Sequence, residues 1–205
     1  EATWPRLLED VSSGTLSPLY RAPSFVDLRN TPAPRRELFK REAYRVPATV
    51  MATRGCPHGC SFCSTSTFFG RRYRKRSPEN VAREIAALPD RLFIFVDDNL
   101  CFDRAYSLEL LRRITPLRKK WVCQVTITLA DDAELLRAVR DAGCIGVLIG
   151  IESINEKNIE LVGKKINVVS EYGEKIRRLH QAGIFVQGSF VFGFDDDGPE
   201  VFERT

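Results

Sequence analysis

The chain has 205 residues, of which 43% are hydrophobic and 28% are charged, and its net charge is +4. This length suits one domain with part of another, and the composition is typical of a soluble globular protein. No apolar run approaches the roughly 20 residues that span a bilayer, so we expect no membrane span. The mild net charge gives no argument for nucleic acid, and we expect no nucleic-acid partner.

The first 45 residues differ from the rest of the chain. They hold several prolines and scattered charges, and their hydrophobic residues show little periodicity. Residues 4–11 are compatible with a short helix, and the remainder is typical of a connector. We therefore interpret residues 1–45 as a linker.

A cysteine-rich loop follows the first predicted strand, at residues 47–52. Cys56, Cys60 and Cys63 have the spacing C-x3-C-x2-C. Three thiolates on one loop can hold three irons of a 4Fe–4S cluster and leave the fourth iron open to a small molecule. Proteins that only carry electrons close the cluster with four cysteines. The loop therefore indicates a catalytic cluster.

Other uses of these cysteines are weaker interpretations. A structural zinc site usually needs four ligands, and His58 would have to fold back into the same tight loop to be the fourth. Disulfides suit secreted proteins, but no apolar signal segment opens this chain. Six cysteines without such a signal fit a reducing, cytoplasmic location. Cys123 and Cys144 are expected in the core, and Cys101 near the site.

The rest of the chain alternates predicted helices and strands. Ser77 is a helix N-cap with Pro78 at the first helical position, and Pro89 ends that helix. Further helices are indicated around Leu108, after Asp131 or Asp132, and in a longer region that ends at residues 180–183. The later predicted strands are residues 92–96, 121–128, 145–151 and 184–194, and a last helix begins near residue 199.

Apolar strands separated by helices indicate a parallel sheet covered by helices. Either an α/β barrel or an open doubly wound sheet satisfies this pattern. Active groups of such folds gather at the carboxyl ends of the strands. Here those ends carry the cysteine loop, residues 97–99, residues 152–153 and Asp195, so we expect them at one rim.

The cysteine loop resembles that of the radical S-adenosylmethionine (SAM) enzymes. The resemblance rests on the cysteine spacing, on the preceding Arg54 and Gly55, and on the aromatic Phe62 before the last cysteine. It implies an α/β fold, a partial parallel (β/α) barrel of the radical SAM type that stops after the fifth strand. It also implies that SAM chelates the open iron and that reductive cleavage of SAM releases a 5′-deoxyadenosyl radical.

The resemblance also implies cofactor-binding positions. The backbone of Phe62 would lie near the adenine, and Asp98 or Asn99 stands where the family often has a Gly-Gly-Glu element. Glu152 and Ser153 match a segment that contacts the ribose or methionine end of SAM. Gly188 and Gly193 flank a strand that resembles the family's glycine-containing adenine element.

Residues 71–76 form the densest basic run, with Tyr73 among five basic residues. Most such runs are solvated loops. A functional interpretation is attraction of an anionic substrate or of the cofactor carboxylate. Contact with RNA stays open as a further alternative.

Within the superfamily, residues 50–56, 68–70 and 96–99 look most like proteins with an upstream cobalamin-binding domain. We therefore expect residues 1–45 to follow such a domain, and residues 46–205 to form a radical SAM core that is incomplete at its C-terminal end. The resemblance implies cobalamin-dependent methyl transfer or related radical chemistry on a small-molecule substrate. It also implies an external electron donor such as flavodoxin or ferredoxin.

Two alternatives remain open at this point. A tRNA methylthiotransferase is the first, because residues 74–84 look like theirs too, although that family needs a second cluster and an RNA-binding domain. A non-catalytic iron–sulfur or zinc-binding module is the second. It predicts a fourth cysteine in range and no polar rim, and neither expectation fits this sequence.

Overall fold

The computed structural model describes residues 3–45 and 48–205. The strands are β1 (Thr49–Val50), β2 (Thr53–Arg54), β3 (Arg74–Lys75), β4 (Leu92–Phe95), β5 (Lys120–Val125), β6 (Cys144–Glu152) and β7 (Phe185–Phe190). The α-helices are α1 (Trp4–Ser13), α2 (Ser64–Phe69), α3 (Pro78–Ala87), α4 (Arg104–Ile114), α5 (Ala133–Asp141), α6 (Glu156–Leu161), α7 (Tyr172–Gln181) and α8 (Val201–Arg204).

Five parallel strands form the main sheet in the order β1-β4-β5-β6-β7. A doubly wound sheet reverses its strand order at a switch point. Here each strand is added beside the preceding strand of the sheet, and right-handed crossovers then place the connecting helices on one face. This confirms the predicted α/β fold and selects the barrel-type arrangement over the doubly wound one.

The core lies between the helices and the covered face of the sheet. Phe93, Phe95 and Trp121 are at most 2% exposed, and their rings make edge contacts at centroid distances of 5.0 and 5.2 Å. The Trp121 indole N–H donates a 2.8 Å hydrogen bond to the Ala142 carbonyl, so its one polar group is satisfied. Alternate residues of the strands, such as Val122, lie on the opposite, less buried face.

The helix signals are confirmed. The Ser77 hydroxyl accepts a hydrogen bond from the Asn80 N–H at 3.2 Å, and Pro78 opens α3. Asp132, rather than Asp131, caps α5 through the N–H groups of Glu134 and Leu135. The short helix expected at residues 4–11 is present as α1, and the longer region before residue 183 contains two helices, α6 and α7.

Three strand boundaries differ from the sequence prediction. Residues 46 and 47 lie outside the described part of the chain, and β1 covers only two residues because the chain then turns to pair β2 with β3. The third predicted strand ends at Val125, since residues Ile127–Asp131 form 3₁₀ turns. The fifth ends at Phe190, four residues early, because Asp197 organises a turn after it.

The N-terminal segment lies against the sheet domain. The Arg36 guanidinium donates to the Glu84 carboxylate and to the Thr49 carbonyl, both at 2.5 Å. Arg41 pairs with Asp90, and the Arg74 guanidinium lies 4.7 Å from the centre of the Phe25 ring. Within the described residues, no helix has the length and apolar character needed to cross a bilayer.

Candidate active site at the cysteine loop

The cysteine loop, residues 56–63, lies between β2 and α2 at the carboxyl end of the sheet. Its backbone is joined to the region after β6, because the Ser61 N–H donates to the Val162 carbonyl at 3.0 Å. Its two ends are held by the residues that follow β4. Part of the expected rim is therefore present, since residues that follow β2, β4 and β6 meet at this loop.

Asp98 joins the two ends of the loop. One carboxylate oxygen accepts the Gly55 backbone N–H at 2.9 Å, and the other accepts the Thr65 hydroxyl at 3.1 Å. The neighbouring Asp97 is 2% exposed and accepts the N–H groups of Ala52 and Thr53. The adjacent carboxylates therefore hold successive parts of the same segment rather than acting as an acid–base pair.

Gly55 allows the chain to enter the loop. Its φ is +90°, and a Cβ at this position would lie 2.1 Å from the Arg72 carbonyl oxygen. A side chain would therefore meet backbone atoms as well as backbone strain. Gly59 is similarly close to the Arg71 guanidinium, which would lie 2.9 Å from an added Cβ.

The three thiols lie close enough to influence one another. Burial raises the pKa of the Cys56 thiol above its usual value, and the Cys60 and Cys63 thiols raise it further. Burial also raises the pKa of Cys60, with Lys164 acting in the opposite direction. Three thiolates in such a place repel each other, and bound cationic iron would relieve that repulsion. The donor set therefore fits an iron–sulfur cluster with three protein ligands.

Asn99 provides a second observation in favour of a bound group. It is 1% exposed, and neither amide atom forms a hydrogen bond of normal geometry with a described residue. The amide lies beside Cys56 and lowers the pKa of that thiol. The Tyr73 hydroxyl fixes the backbone here by donating to the carbonyls of Asn99 and Leu100. A buried amide that forms no hydrogen bond of normal geometry is costly, which suits a group that binds a ligand.

Glu152 ends β6 in an unusual conformation. Its φ is +65°, and its side chain is 9% exposed and paired with Lys164 at 2.6 Å. The Lys164 ammonium also donates to the Gly150 carbonyl at 2.8 Å. A Cβ on Gly150 would lie 2.1 Å from the Glu152 carboxylate, so the missing side chain leaves space for the ion pair. Positive φ in a residue other than glycine is uncommon and clusters at functional sites.

Ser153 and Gly193 lie in turns that follow β6 and β7. The Ser153 hydroxyl accepts hydrogen bonds from the Asn155 backbone and the Asn158 amide. Asn158 also donates to Asp197, which in turn accepts the Gly193 N–H at 3.0 Å. The network connects the two turns. A direct cofactor contact of Ser153 or Gly193 remains a prediction.

Gly188 and Phe62 occupy different surroundings. Gly188 lies in β7, where an added Cβ would approach Phe190 at 3.2 Å and Ile151 at 3.4 Å. Phe62 is 49% exposed on the cysteine loop, so it is not a core aromatic. For both residues the cofactor contact stays a prediction.

The zinc alternative receives no support from His58. Its ring packs edge-on against Phe102 at a centroid distance of 5.6 Å. Among the described residues, no group of three or more His, Cys, Asp or Glu side chains is arranged around a single metal ion. In a 4Fe–4S cluster each thiolate binds a different iron, so this finding does not bear on that interpretation.

A groove of about 420 Å³ lies on the sheet beside Asp98. Its lining from the less buried face includes Ile94, Val122, Gln124, Leu148 and Gln187. It is mostly apolar with a few polar groups, as small-molecule sites usually are.

The sequence did not indicate that Lys164 pairs with Glu152. It also did not indicate that the buried Asn99 amide forms no hydrogen bond of normal geometry with a described residue. Lys164 is twelve residues after Glu152, and no local pattern joins the two.

The basic run at residues 71–76 also differs from the solvated loop that is usual for such runs. Arg76 forms a buried pair with Glu84, Lys75 pairs with Asp103, and the Arg74 guanidinium lies over Phe25.

Comparison with known proteins identifies one superfamily. The sequence model described as the radical SAM superfamily matches residues 50–205. Over 222 residues the chain is 31% identical to the bacteriochlorophyllide d C-12(1)-methyltransferase of Chlorobaculum tepidum, covering 100% of this chain and 47% of that protein. Over 170 residues it is 34% identical to the anaerobic magnesium-protoporphyrin IX monomethyl ester cyclase of Cereibacter sphaeroides, covering 78% of this chain and 27% of that protein.

Among solved structures, the fold is similar to that of the radical S-adenosylmethionine methyltransferase TsrM from Kitasatospora setae. The TM-score is 0.67 at 22% identity, and the match covers 77% of this chain and 33% of that one. That structure contains cobalamin and a [4Fe-4S] cluster. The likeness is one of fold, and the chain spans less than half the length of each of these proteins.

Proposed function

The chain belongs to the radical SAM superfamily, and from this we propose that it forms part of an enzyme that reductively cleaves SAM. Cys56, Cys60 and Cys63 would hold the 4Fe–4S cluster. When bound, the cluster supplies an open iron for SAM and the electron that releases a 5′-deoxyadenosyl radical. The observation that carries the proposal is three cysteines spaced C-x3-C-x2-C on one loop at the carboxyl rim of the sheet.

The chain's own residues would then have separate tasks. Asp98 would hold the loop in the shape that presents its three thiols to the cluster. Asn99 would direct its buried amide toward the cluster sulfur or the cofactor. Glu152 would offer its second carboxylate oxygen to ribose hydroxyls or to the SAM amino group, while Lys164 holds the first. The groove beside Asp98 would receive a small-molecule substrate, as its size permits.

We further propose cobalamin-dependent methyl transfer as the overall reaction. The 31% identity to a bacteriochlorophyllide methyltransferase over the whole chain supports the methyl transfer. The cobalamin dependence rests on the sequence resemblance of residues 50–56, 68–70 and 96–99. The cysteine loop is proposed to hold the iron–sulfur cluster and not the cobalamin. The given sequence has two histidines, His58 and His180, and neither lies in the D-x-H-x-x-G motif that is typical of cobalamin-binding domains.

A second candidate is radical ring closure or rearrangement without methyl transfer, favoured by the 34% identity to the Cereibacter cyclase. The tRNA alternative has less support, because four of the five basic residues at positions 71–76 contact other parts of the protein.

The test is anaerobic reconstitution with iron and sulfide, followed by reduction in the presence of SAM. We expect 5′-deoxyadenosine from the wild-type protein and none from Cys60→Ala. Cys144→Ala, which alters a buried cysteine outside the loop, serves as the control and should retain product. Unchanged product from Cys60→Ala would overturn the proposal.

A further inference from the structure

The position of Asn99 is fixed by hydrogen bonds of the residues around it. Asp98, the residue before it, accepts the Gly55 backbone N–H at 2.9 Å, and Gly55 directly precedes Cys56. The Asn99 carbonyl itself accepts a hydrogen bond from the Tyr73 hydroxyl at 3.1 Å. The backbone of Asn99 is therefore held against the start of the cysteine loop, and its side chain lies beside Cys56.

The amide of Asn99 contributes no hydrogen bond to the fold. The residue is 1% exposed, and neither amide atom forms a hydrogen bond of normal geometry with a described residue. Tyr73 and Asp98 bind through backbone groups, so they explain where the amide lies but not why it is an amide. Because an apolar side chain of similar size would cost the fold less, the amide is expected to serve a bound group.

Burial distinguishes between the two groups that this amide could serve, the cofactor and a cluster ligand. SAM would reach the open iron from solvent, whereas both amide atoms of Asn99 are closed to solvent. The Cys56 sulfur belongs to the loop itself, and it lies beside the amide without any rearrangement of the chain. The buried position therefore favours the Cys56 sulfur over SAM.

The surroundings of the Cys56 sulfur mostly oppose negative charge. Burial, the largest influence, raises the pKa of the Cys56 thiol, and the Cys60 and Cys63 thiols raise it further. The His58 backbone N–H and the Asn99 amide lower the pKa of the same thiol. Asn99 is therefore a side chain that favours negative charge on this sulfur.

The weakness of the contact in the free thiol has a chemical reason. A thiol sulfur is a poor hydrogen-bond acceptor, whereas hydrogen bonds to an ionised acceptor are shorter and stronger. Metal binding requires the thiolate, so Cys56 would become a charged acceptor when it ligates iron. We expect the Asn99 amide, which is already in place, to become a full donor at that point.

We propose that the Asn99 amide donates a hydrogen bond to the Cys56 thiolate and thereby raises the reduction potential of the cluster. This inference rests on the proposed function, since it needs the cluster at Cys56. Reduction adds one electron from an external reductant and lowers the cluster charge from 2+ to 1+, while the amide keeps its proton. A donor stabilises the more negative state of the cluster, and hydrogen bonds to the sulfurs are among the factors that set such potentials.

The experiment is a redox titration of the reconstituted protein without SAM or substrate. Dithionite supplies the electrons, mediator dyes fix the solution potential, and the electron paramagnetic resonance signal of the reduced cluster reports the fraction that is reduced. Asn99→Leu and the smaller Asn99→Val both remove the donor. Asn158→Leu is the matched control, because Asn158 is 0% exposed but donates to Ser153 and Asp197.

We expect Asn99→Leu to lower the ratio of reduced to oxidised cluster about tenfold at a given potential, a shift of about 59 mV for one electron. Asn99→Val should shift the potential in the same direction, and Asn158→Leu should titrate as wild type does. Urea unfolding before reconstitution should show the reverse order. Asn158→Leu loses hydrogen bonds and should unfold at a lower urea concentration, whereas Asn99→Leu should not.

An unchanged potential in Asn99→Leu would overturn the inference, and weaker SAM binding in equilibrium dialysis would then assign the amide to the cofactor. An equal shift in Asn158→Leu would also overturn it, since the effect would not be specific to the donor beside Cys56. If neither Asn99 variant retains a cluster, the residue serves assembly and the inference is wrong. Failure of the wild-type protein to assemble any cluster contradicts the proposed function instead, and it is recognised before any titration.

Discussion

The Asp98 carboxylate accepts the Gly55 backbone N–H at 2.9 Å. Its other oxygen accepts a hydrogen bond from the hydroxyl of Thr65, which is ten residues after Gly55. One side chain therefore closes the segment that contains all three cysteine ligands. Because hydrogen bonds to a charged group contribute about 1.5–3 kcal/mol each, this closure can order the loop before any metal binds.

Asp98→Asn should impair cluster retention. An amide carries no charge and has only one acceptor oxygen, so it cannot accept both hydrogen bonds. We expect iron to be lost to a chelator about tenfold faster than from wild type, which corresponds to about 1.4 kcal/mol at the loop. Iron and sulfide per chain, measured after timed exposure to the chelator, report the effect. Asp141→Asn, at an exposed position on α5, is the control, and equal rates for both variants would exclude the clamp.

Gly55→Ala should destabilise the protein by more than backbone strain alone. Both Gly55 and Gly183 have positive φ, +90° and +76°, but only the Cβ at residue 55 would meet a backbone atom, at 2.1 Å. Gly183→Ala therefore measures the strain, at about 1 kcal/mol. We expect Gly55→Ala to lose at least about 2 kcal/mol more in urea unfolding. Equal losses would show that the loop shifts to accommodate the methyl group.

Lys164→Met should leave the Glu152 carboxylate buried without its cation. Breaking a buried pair from one side costs about 3–5 kcal/mol, whereas removing both charges costs less. We therefore expect Lys164→Met to be less stable than the double variant Lys164→Met, Glu152→Gln. A double-mutant cycle by urea unfolding should give a coupling of about 1–3 kcal/mol. Additive effects would show that the 2.6 Å contact contributes nothing to stability.

Asp97 should make stability depend on pH in an unusual direction. Burial raises the pKa of Asp97 to about 6, above the ordinary value of 3.8. Between these two pH values the folded protein keeps a proton that the unfolded chain has released. Stability from this group therefore falls as pH rises through that window, by about 3 kcal/mol in total.

Asp97→Asn removes this titratable group. It should therefore abolish the part of the pH dependence of the free energy of unfolding that Asp97 contributes. Urea unfolding at pH 4 and pH 7 measures the wild type, the variant and the control Asp141→Asn. The control should follow the wild type. If Asp97→Asn keeps the full wild-type slope, the raised pKa of Asp97 is not responsible for it.

Much of the fold follows from local patterns in the sequence. Ser77 and Pro78 act within their own helix turn, through the hydroxyl of the serine and the fixed backbone angle of the proline, so the sequence predicts the start of α3. The shortness of β1 could not be predicted in this way. The chain leaves β1 to pair β2 with β3, and Asp97 holds the backbone at that point from more than forty residues away.

The candidate site was predictable to the extent that it is local. The three cysteines lie within eight residues, so their spacing alone indicates the cluster. The partner of Glu152 was not predictable, because Lys164 reaches it across the turn after β6. Likewise, Asp98 resembles a cofactor ligand in the sequence, but the structure shows both of its oxygens in contact with the protein.

The central claim is that one iron of the cluster has no protein ligand and binds SAM directly. The most direct measurement is the electron paramagnetic resonance spectrum of the reduced cluster with and without SAM. We predict that SAM changes the g-values of the reduced cluster. We also predict that SAM labelled with ¹⁷O or ¹⁵N in its methionine part shows hyperfine coupling between the label and the cluster. A spectrum that SAM leaves unchanged, at concentrations where dialysis shows SAM bound, would contradict the account.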